Sequence, residues 1–411
     1  MTIVKKDKKN KSTDAIEEIY KQDIQAPTII KNRTGFKIII VCLIISFLSG
    51  FIGAWLKDAL IGQSIITYAP TAAQPNTETE ILDLEFLLSK EDQQYNKVLS
   101  ELKGQLVGFY KKRSGQGILD SIYLQKDFLG SGIIVTSDGW LLTHSQVVGN
   151  EDYVVITADK KVLEPLKEVA DDFTKTVLVQ VSAKDLTPVK FADLNYLQVT
   201  DPLLTVRYSA QNHGSDIVLT SIQRFAYHDQ VKPTDFLLST EKIDHYLKVT
   251  DDFDLVYNGA AVFNNQSEVV GLLFKSGREE IRLAVPGYYL KSAVSNFLSS
   301  SAEVIRSSLG VYYVDLSESL GLPEEVAGGR LKGAVLLGDL DANVMAVAEG
   351  SSAAEAGLEA GDIILKVNNE EINEKNSLTK LIQDYTPGQE LTLLVFRAGE
   401  ELEIKAVLGE I

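Results

Sequence analysis

The chain has 411 residues, 45% hydrophobic and 24% charged, which is ordinary for globular material and enough for two or three domains. Its net charge of −17 excludes a nucleic-acid partner, which needs a basic face. A single cysteine, Cys42, excludes an internal disulfide framework or a thiolate zinc site.

Charge is unevenly spread. Residues 1–37 hold nine Lys/Arg and five Asp/Glu, a net of +4, which leaves −21 for the rest. This stretch is polar and without sustained periodicity, and reads as a disordered cytoplasmic tail. Residues 38–56, IIIVCLIISFLSGFIGAWL, carry no charge and stand between Lys37 and Lys57. As a helix they reach about 28 Å, close to the hydrocarbon thickness of a bilayer, so a transmembrane helix is expected. Basic residues precede the span and acidic ones follow it, which places the N-terminus in the cytoplasm and the body outside. Trp55 suits an outer interfacial anchor.

Residues 57–102 read as a linker with Pro70 and Pro75, followed by a short helical stalk in which Leu84, Leu87, Leu88, Tyr95, Val98, Leu99 and Leu102 recur at helical spacing. From 103 to 304, short runs rich in Val, Ile, Leu and Tyr alternate with turn signals, as in an all-β barrel or sandwich. Asp138-Gly139, between IIVT and WLLT, is a two-residue hairpin signal. Residues 305–411 have their own strands and two short helices, the length of a small domain. His144, His213, His228 and His245 show no ligand-like spacing with carboxylates and read as surface or packed residues. No metal and no cofactor is expected.

Three segments carry a resemblance. GSGIIVTSDGWLLTHSQVV at 130–148, DDFTKTVLVQV at 171–181 and VYNGAAVFNNQSEVVGLLF at 256–274, followed by LAVP at 283–286, are similar in order and spacing to HtrA/Deg-type trypsin-like proteases. The resemblance implies a trypsin-like double β-barrel at 103–304. It also aligns the catalytic His, Asp and Ser with Gln146, Lys175 and Asn258. Triad chemistry needs a serine hydroxyl, a histidine base and an aspartate that holds it. An amide, an ammonium and a second amide supply none of these, so no catalytic residue is expected. The oxyanion donors align with Val256, Tyr257 and Asn258, where β-branched Val256 disfavours the strained backbone. Two rescues were open to the sequence: a register shift that brings His144 inward, and Ser267, which reads as a solvated turn hydroxyl.

SSLGVYYVDLSESLGL at 307–322 and GSSAAEAGLEAGDIILKVNNEEI at 350–372 resemble the PDZ domain appended to such proteases. The resemblance implies binding of peptide C-termini or unfolded polypeptides by strand addition, with a carboxylate held by backbone N–H groups of Leu309, Gly310, Val311 and Tyr312. The facing wall is a helix over 376–385, N-capped by Asn376, with Leu378, Leu381 and Ile382 on one face. The acidic residues of this module, Asp315 and Glu318 among them, read as a solvated face. The resemblance also implies a homotrimer, for which Phe109, Tyr110 or Phe128 would serve, although core packing explains them equally. The expected protein is therefore a mainly β, membrane-anchored pseudoprotease with a PDZ domain. The rival readings are an active serine endopeptidase of envelope quality control and a barrel that serves only as a spacer.

Overall fold

The computed structural model describes residue 98 and residues 100–411, except 116, 150, 211–213, 229, 251–252, 278–280, 301–302 and 340. The chain divides into Met1–Glu80 and Ile81–Ile411, and every described residue falls in the second unit. The tail, the expected span 38–56 with Cys42 and Trp55, most of the linker, and His213 lie outside the described residues. Among the described residues no helix is long and apolar enough to cross a membrane.

Two sheets stand where the two barrels were expected. The first is antiparallel with seven strands, ordered Val162–Leu163, Tyr153–Thr157, Leu106–Lys111, Phe128–Ile134, Trp140–His144, Thr176–Val181 and Pro165–Asp171. Asp138-Gly139 turns the chain between Phe128–Ile134 and Trp140–His144, and Gly139 takes φ +108°, a conformation that favours glycine. The second sheet has eight strands. Its order is Gly214–Thr220, Leu203–Ser209, Ala261–Phe263, Glu268–Lys275, Arg282–Pro286, Tyr246–Val249 and Ile222–Tyr227, with Lys190–Phe191 added in parallel to Glu268–Lys275.

The helix Gly287–Ser300 follows and sends Tyr289, Leu290, Val294 and Phe297 into a core shared with Leu106, Leu142, Leu204, Phe263 and Leu272. Each large apolar side chain buried this fully contributes about 2 kcal/mol. Trp140 meets Phe297 edge-on, with ring centroids 4.5 Å apart. Phe109 and Tyr110 are buried, and Tyr110 packs edge-on against half-buried Phe128. These aromatics are spent on internal packing, so the expected trimer has no exposed ring at 109 or 110 to rest on.

The third sheet runs Leu238–Ser239, Tyr312–Asp315, Ala334–Leu336, Ile363–Val367, Glu390–Arg397 and Glu400–Val407. Its first strand comes from the second-sheet region, far from the others in sequence. Arg306 leads into this domain. It is 2% exposed and bonds the Asp171 carboxylate with Nη2 and with Nε at 3.2 Å, while its guanidinium lies 4.9 Å from the Phe173 ring. Losing one member of so buried a pair leaves an uncompensated charge, a cost of about 3–5 kcal/mol.

Candidate functional site

The helix of the third sheet spans Leu378–Gln383 and is capped by Ser377, whose side chain accepts from Lys380 N. The expected cap, Asn376, instead bridges to Asn373 and receives Lys380 Nζ on its own side chain at 2.7 Å. Ser377 wins because its hydroxyl lies three residues before the free N–H it satisfies.

The three positions that the resemblance aligns with the triad make strand, ion-pair and buried polar contacts. Gln146 lies in the short helix Ser145–Val148 and is exposed. Its amide makes a two-way contact with the end of strand Glu268–Lys275: Nε2 donates to Lys275 O at 2.7 Å, and Oε1 accepts from Lys275 N at 3.0 Å. The side chain thus extends a strand edge across the two sheets. Lys175 occupies a turn at φ +56°, and its Nζ sits 3.2 Å from Asp172, with both side chains mostly in solvent. Its backbone carbonyl accepts from Ser145 N at 2.9 Å. Asn258 is buried, and its Oδ1 accepts from Arg282 Nη1, while its carbonyl accepts from Ser131 N at 2.9 Å.

The loop that holds Asn258 is a 3-10 turn, Leu255–Tyr257, with Val256 at its centre. Tyr257 N donates to Asp254 O and Asn258 N to Leu255 O, each at 3.0 Å. Those donors face back into their own turn. An oxyanion hole needs its N–H groups aimed at the reacting atom. The loop is tightly fitted: Gly259, at φ +71°, would place a Cβ 2.1 Å from Ser131 O.

Both rescue residues are engaged elsewhere. His144 is 4% exposed, stacks on Phe274 at 4.8 Å, and accepts from Gln146 N with Nδ1 at 3.2 Å. Burial holds its imidazole down at about 4, so it stays neutral in neutral solution. Ser267 is not a solvated turn hydroxyl. It is buried at φ +62° and donates to Glu101 Oε2 at 3.0 Å, because the helical residues before 103 fold back over that turn.

The groove of the third sheet is complete, and the chain fills it. Leu309, Val311, Leu378, Leu381 and Ile382 are almost wholly buried, while Tyr312 is partly so. Leu238 joins the same apolar cluster. Strand Leu238–Ser239 pairs antiparallel with Tyr312–Asp315, Leu238 opposite Tyr313 and Ser239 opposite Tyr312. Thr240 N donates to Val311 O at 3.3 Å. Glu241 then turns its carboxylate into the nest, where Oε1 accepts from Gly310 N at 2.8 Å, Leu309 N at 3.2 Å and Ser308 Oγ at 3.1 Å. From the opposite wall, Thr379 Oγ1 donates to Ser239 O at 3.1 Å and Gln383 Nε2 to Thr240 O at 3.1 Å. Gly310 takes φ +81°, and a Cβ there would lie 2.2 Å from Ser351 Cβ, so only glycine lets the nest turn this way.

This is strand addition with a carboxylate end-cap, made by an internal glutamate in place of a free C-terminus. Of the expected nest residues, Leu309 and Gly310 meet the carboxylate. Val311 N instead meets Thr240 Oγ1 at 3.4 Å, and Tyr312 N donates to Ala346 O at 2.8 Å.

Residues 130–272 match the trypsin-like peptidase domain and residues 307–408 the PDZ domain. Serine endoprotease DegS of Haemophilus influenzae is 26% identical over 307 residues, which cover 72% of this chain and 82% of that protein. A probable periplasmic serine endoprotease DegP-like of Bartonella henselae is 28% identical over 308 residues, 72% of this chain and 56% of that protein. The chain therefore spans about half the length of the DegP-like relative. A solved structure, HtrA-type protease AlgW with decapeptide, is alike in fold, with a TM-score of 0.52 at 18% identity over 77% of this chain and 98% of that one. The class is a mainly β, trypsin-like peptidase domain followed by a PDZ domain. In that order, and in the likeness to DegS, the chain is similar to HtrA/DegS-type proteases.

Proposed function

We propose that this chain is a membrane-anchored, HtrA-like pseudoprotease that binds extracytoplasmic peptides or unfolded polypeptides through its PDZ groove, where an incoming peptide displaces residues 238–241. The observation that carries the reading is the loop at Asn258. No hydroxyl stands at the aligned nucleophile position, and the N–H groups of Tyr257 and Asn258 are consumed by carbonyls of their own turn. Gln146 and Lys175 add no base and no carboxylate. The anchor rests on the uncharged run 38–56 and its basic N-terminal flank. An extracytoplasmic body agrees with relatives named as periplasmic endoproteases.

Peptide binding rests on a nest and groove whose donors already hold a carboxylate and a strand. Because the chain's own segment competes, the apparent affinity for a free peptide is scaled down by the fraction of molecules with an open groove.

The test is cleavage of casein and labelling by a fluorophosphonate serine probe, run on the purified chain beside the triple variant Gln146→His, Lys175→Asp, Asn258→Ser. The native chain is expected to bind unfolded casein without cutting it and to take no label. The triple variant is expected to stay silent too, because three side chains do not re-aim the N–H groups at 257 and 258. The second reading, an active serine-type endopeptidase, is favoured by the relatives' names. Cleavage together with serine labelling of the native chain would establish it and sink the first.

A further inference from the structure

Two of the four histidines meet a glutamate at the junction of the second sheet and the PDZ domain. His228 follows strand Ile222–Tyr227 and His245 precedes strand Tyr246–Val249, and these strands pair with Tyr227 opposite Tyr246. The imidazoles therefore lie side by side, with ring centroids 5.3 Å apart. Glu318 reaches them from the turn after Tyr312–Asp315. His245 Nε2 is 2.9 Å and His228 Nδ1 3.7 Å from Glu318 Oε2, and the three ligand-type atoms lie within 4.8 Å of one another. Donors around a tetrahedral zinc, with bonds of about 2.0–2.1 Å, stand about 3.3 Å apart. Small side-chain shifts bring this set to that spacing.

Two further observations point to a ligand here. His228 Nδ1 is buried and has no hydrogen-bond partner, although it is aimed at the same carboxylate. A buried nitrogen without a partner is costly unless something occupies its lone pair. The second is the shell behind the ligands. His245 Nδ1 lies 3.1 Å from Asp244 Oδ2, and the Asp244 carboxylate is held by Tyr289 OH at 2.6 Å on its other oxygen. Asp244 Oδ2 makes no hydrogen bond there, and a small rotation turns this contact into the Nδ1–H···Oδ2 bond that orients a metal-bound histidine, with Nε2 already directed at Glu318. On the other ring, Gln230 Nε2 sits 2.9 Å from His228 Nε2. A half-turn of that amide presents its oxygen to Nε2–H and leaves Nδ1 as the ligand.

We propose that His228 Nδ1, His245 Nε2 and Glu318 Oε2 bind a borderline divalent cation of the zinc class, bridging the protease-like domain and the PDZ domain. Two imidazoles and one carboxylate suit zinc or cobalt, whereas magnesium and calcium prefer all-oxygen sites. Three protein ligands leave a fourth position for water. The buried carboxylates of Asp244 and Asp315 next to the cluster favour a dication further. Because Glu318 follows the strand that carries the self-bound segment 238–241, an occupied site ties the two domains together beside the filled groove.

The test uses the full chain, free of any histidine tag and stripped with a chelator. Zinc titrated calorimetrically is expected to bind one equivalent per chain, and magnesium none. Cobalt is expected to give the visible absorption of a four-coordinate site. His228→Gln and Glu318→Gln are each expected to weaken zinc binding roughly tenfold or more, the lower end of what loss of even a supporting group costs. Melting curves of the metal-free variants check the fold; if Glu318→Gln lacks a transition, His228→Gln alone decides, since His228 lies only half-buried at the rim. Absence of zinc uptake by the native chain overturns the proposal. So does uptake that both folded variants leave unchanged.

Discussion

The loop at Asn258 and the nest at Gly310 are both places where backbone N–H groups can receive a negative charge, and they have gone opposite ways. At 257 and 258 the N–H groups point back to the carbonyls of Asp254 and Leu255, and the side chain between the sheets serves Arg282. At 309 and 310 they point out of the loop and hold the carboxylate of Glu241. In the first region the N–H groups are satisfied by their own turn, while in the second they receive a carboxylate supplied from within the chain. A site that is merely full can be emptied by substituting the occupant. Donors closed within their own turn are not freed by substituting one side chain, and the residues around them show their role as stability.

Acid sensitivity should show the largest effect, on the side of the Asn258 loop. His144 is buried with its pKa depressed to about 4, while an unfolded histidine titrates near 6.5. Above 6.5 neither state is protonated and nothing is lost. As the pH falls from 6.5 to 4 only the unfolded chain takes the proton, so the folded state loses about 3 kcal/mol over that window. His144→Asn keeps an acceptor for Gln146 N and removes the titration. Denaturant unfolding of both proteins between pH 7 and pH 4 should show the variant losing about 3 kcal/mol less than the native chain. Equal losses would mean that His144 is not buried neutral, and the rescue by an inward histidine would reopen.

Asn258→Ala comes next. It removes the buried acceptor of Arg282 Nη1 and should cost about 2–3 kcal/mol in denaturant unfolding, as expected when a charged buried donor loses a partner. A vestigial position with no structural duty would lose less than about 0.5 kcal/mol, as surface sites do.

Emptying the groove is a smaller change. Glu241→Ala deletes the carboxylate from the nest but leaves strand Leu238–Ser239 in place. Apparent affinity for a fluorescent peptide with a free C-terminus should improve about tenfold, or about 1.4 kcal/mol, as the self-bound population falls. Glu241→Gln, which keeps an oxygen without the charge, should fall between the two. An unchanged affinity would mean that residues 238–241 are part of the domain's permanent wall and that peptides enter elsewhere.

What was legible in the sequence was local. Asp138-Gly139 announced its turn, and the Gly357 to Ile364 run announced the edge of a PDZ core, because each signal lies within a few residues of what it controls. Gly310 was legible through the resemblance to PDZ domains. The occupant of its nest was not, since Glu241 lies 69 residues before Gly310, and no periodicity links a strand to a partner so far away. The only local trace is the run Leu237-Leu238-Ser239-Thr240-Glu241, an apolar pair, two hydroxyls and a carboxylate. Asp315 and Glu318 misread for a related reason. They look like solvated charge, yet Asp315 is 3% exposed and Glu318 bonds His245 across the domain junction. Composition cannot show which face another domain covers.

Lys175 gives the smallest effect and the sharpest contrast with Asn258, since both align with triad residues. Among the described residues its ammonium pairs with Asp172 alone, whose side chain is 97% exposed, and exposed pairs contribute little. What the position does supply is backbone: φ +56° and a carbonyl that accepts from Ser145 N. Lys175→Ala should therefore change stability by less than about 0.5 kcal/mol. Lys175→Gly should be more stable than the alanine variant by about 0.5 kcal/mol, because glycine meets the left-handed backbone without steric cost and that relief exceeds its entropy loss. If alanine cost more than about 1 kcal/mol, well beyond what an exposed pair supplies, the side chain would have a second role. The cleft that Lys175 lines together with Glu241 and Arg306 is where that role would be sought.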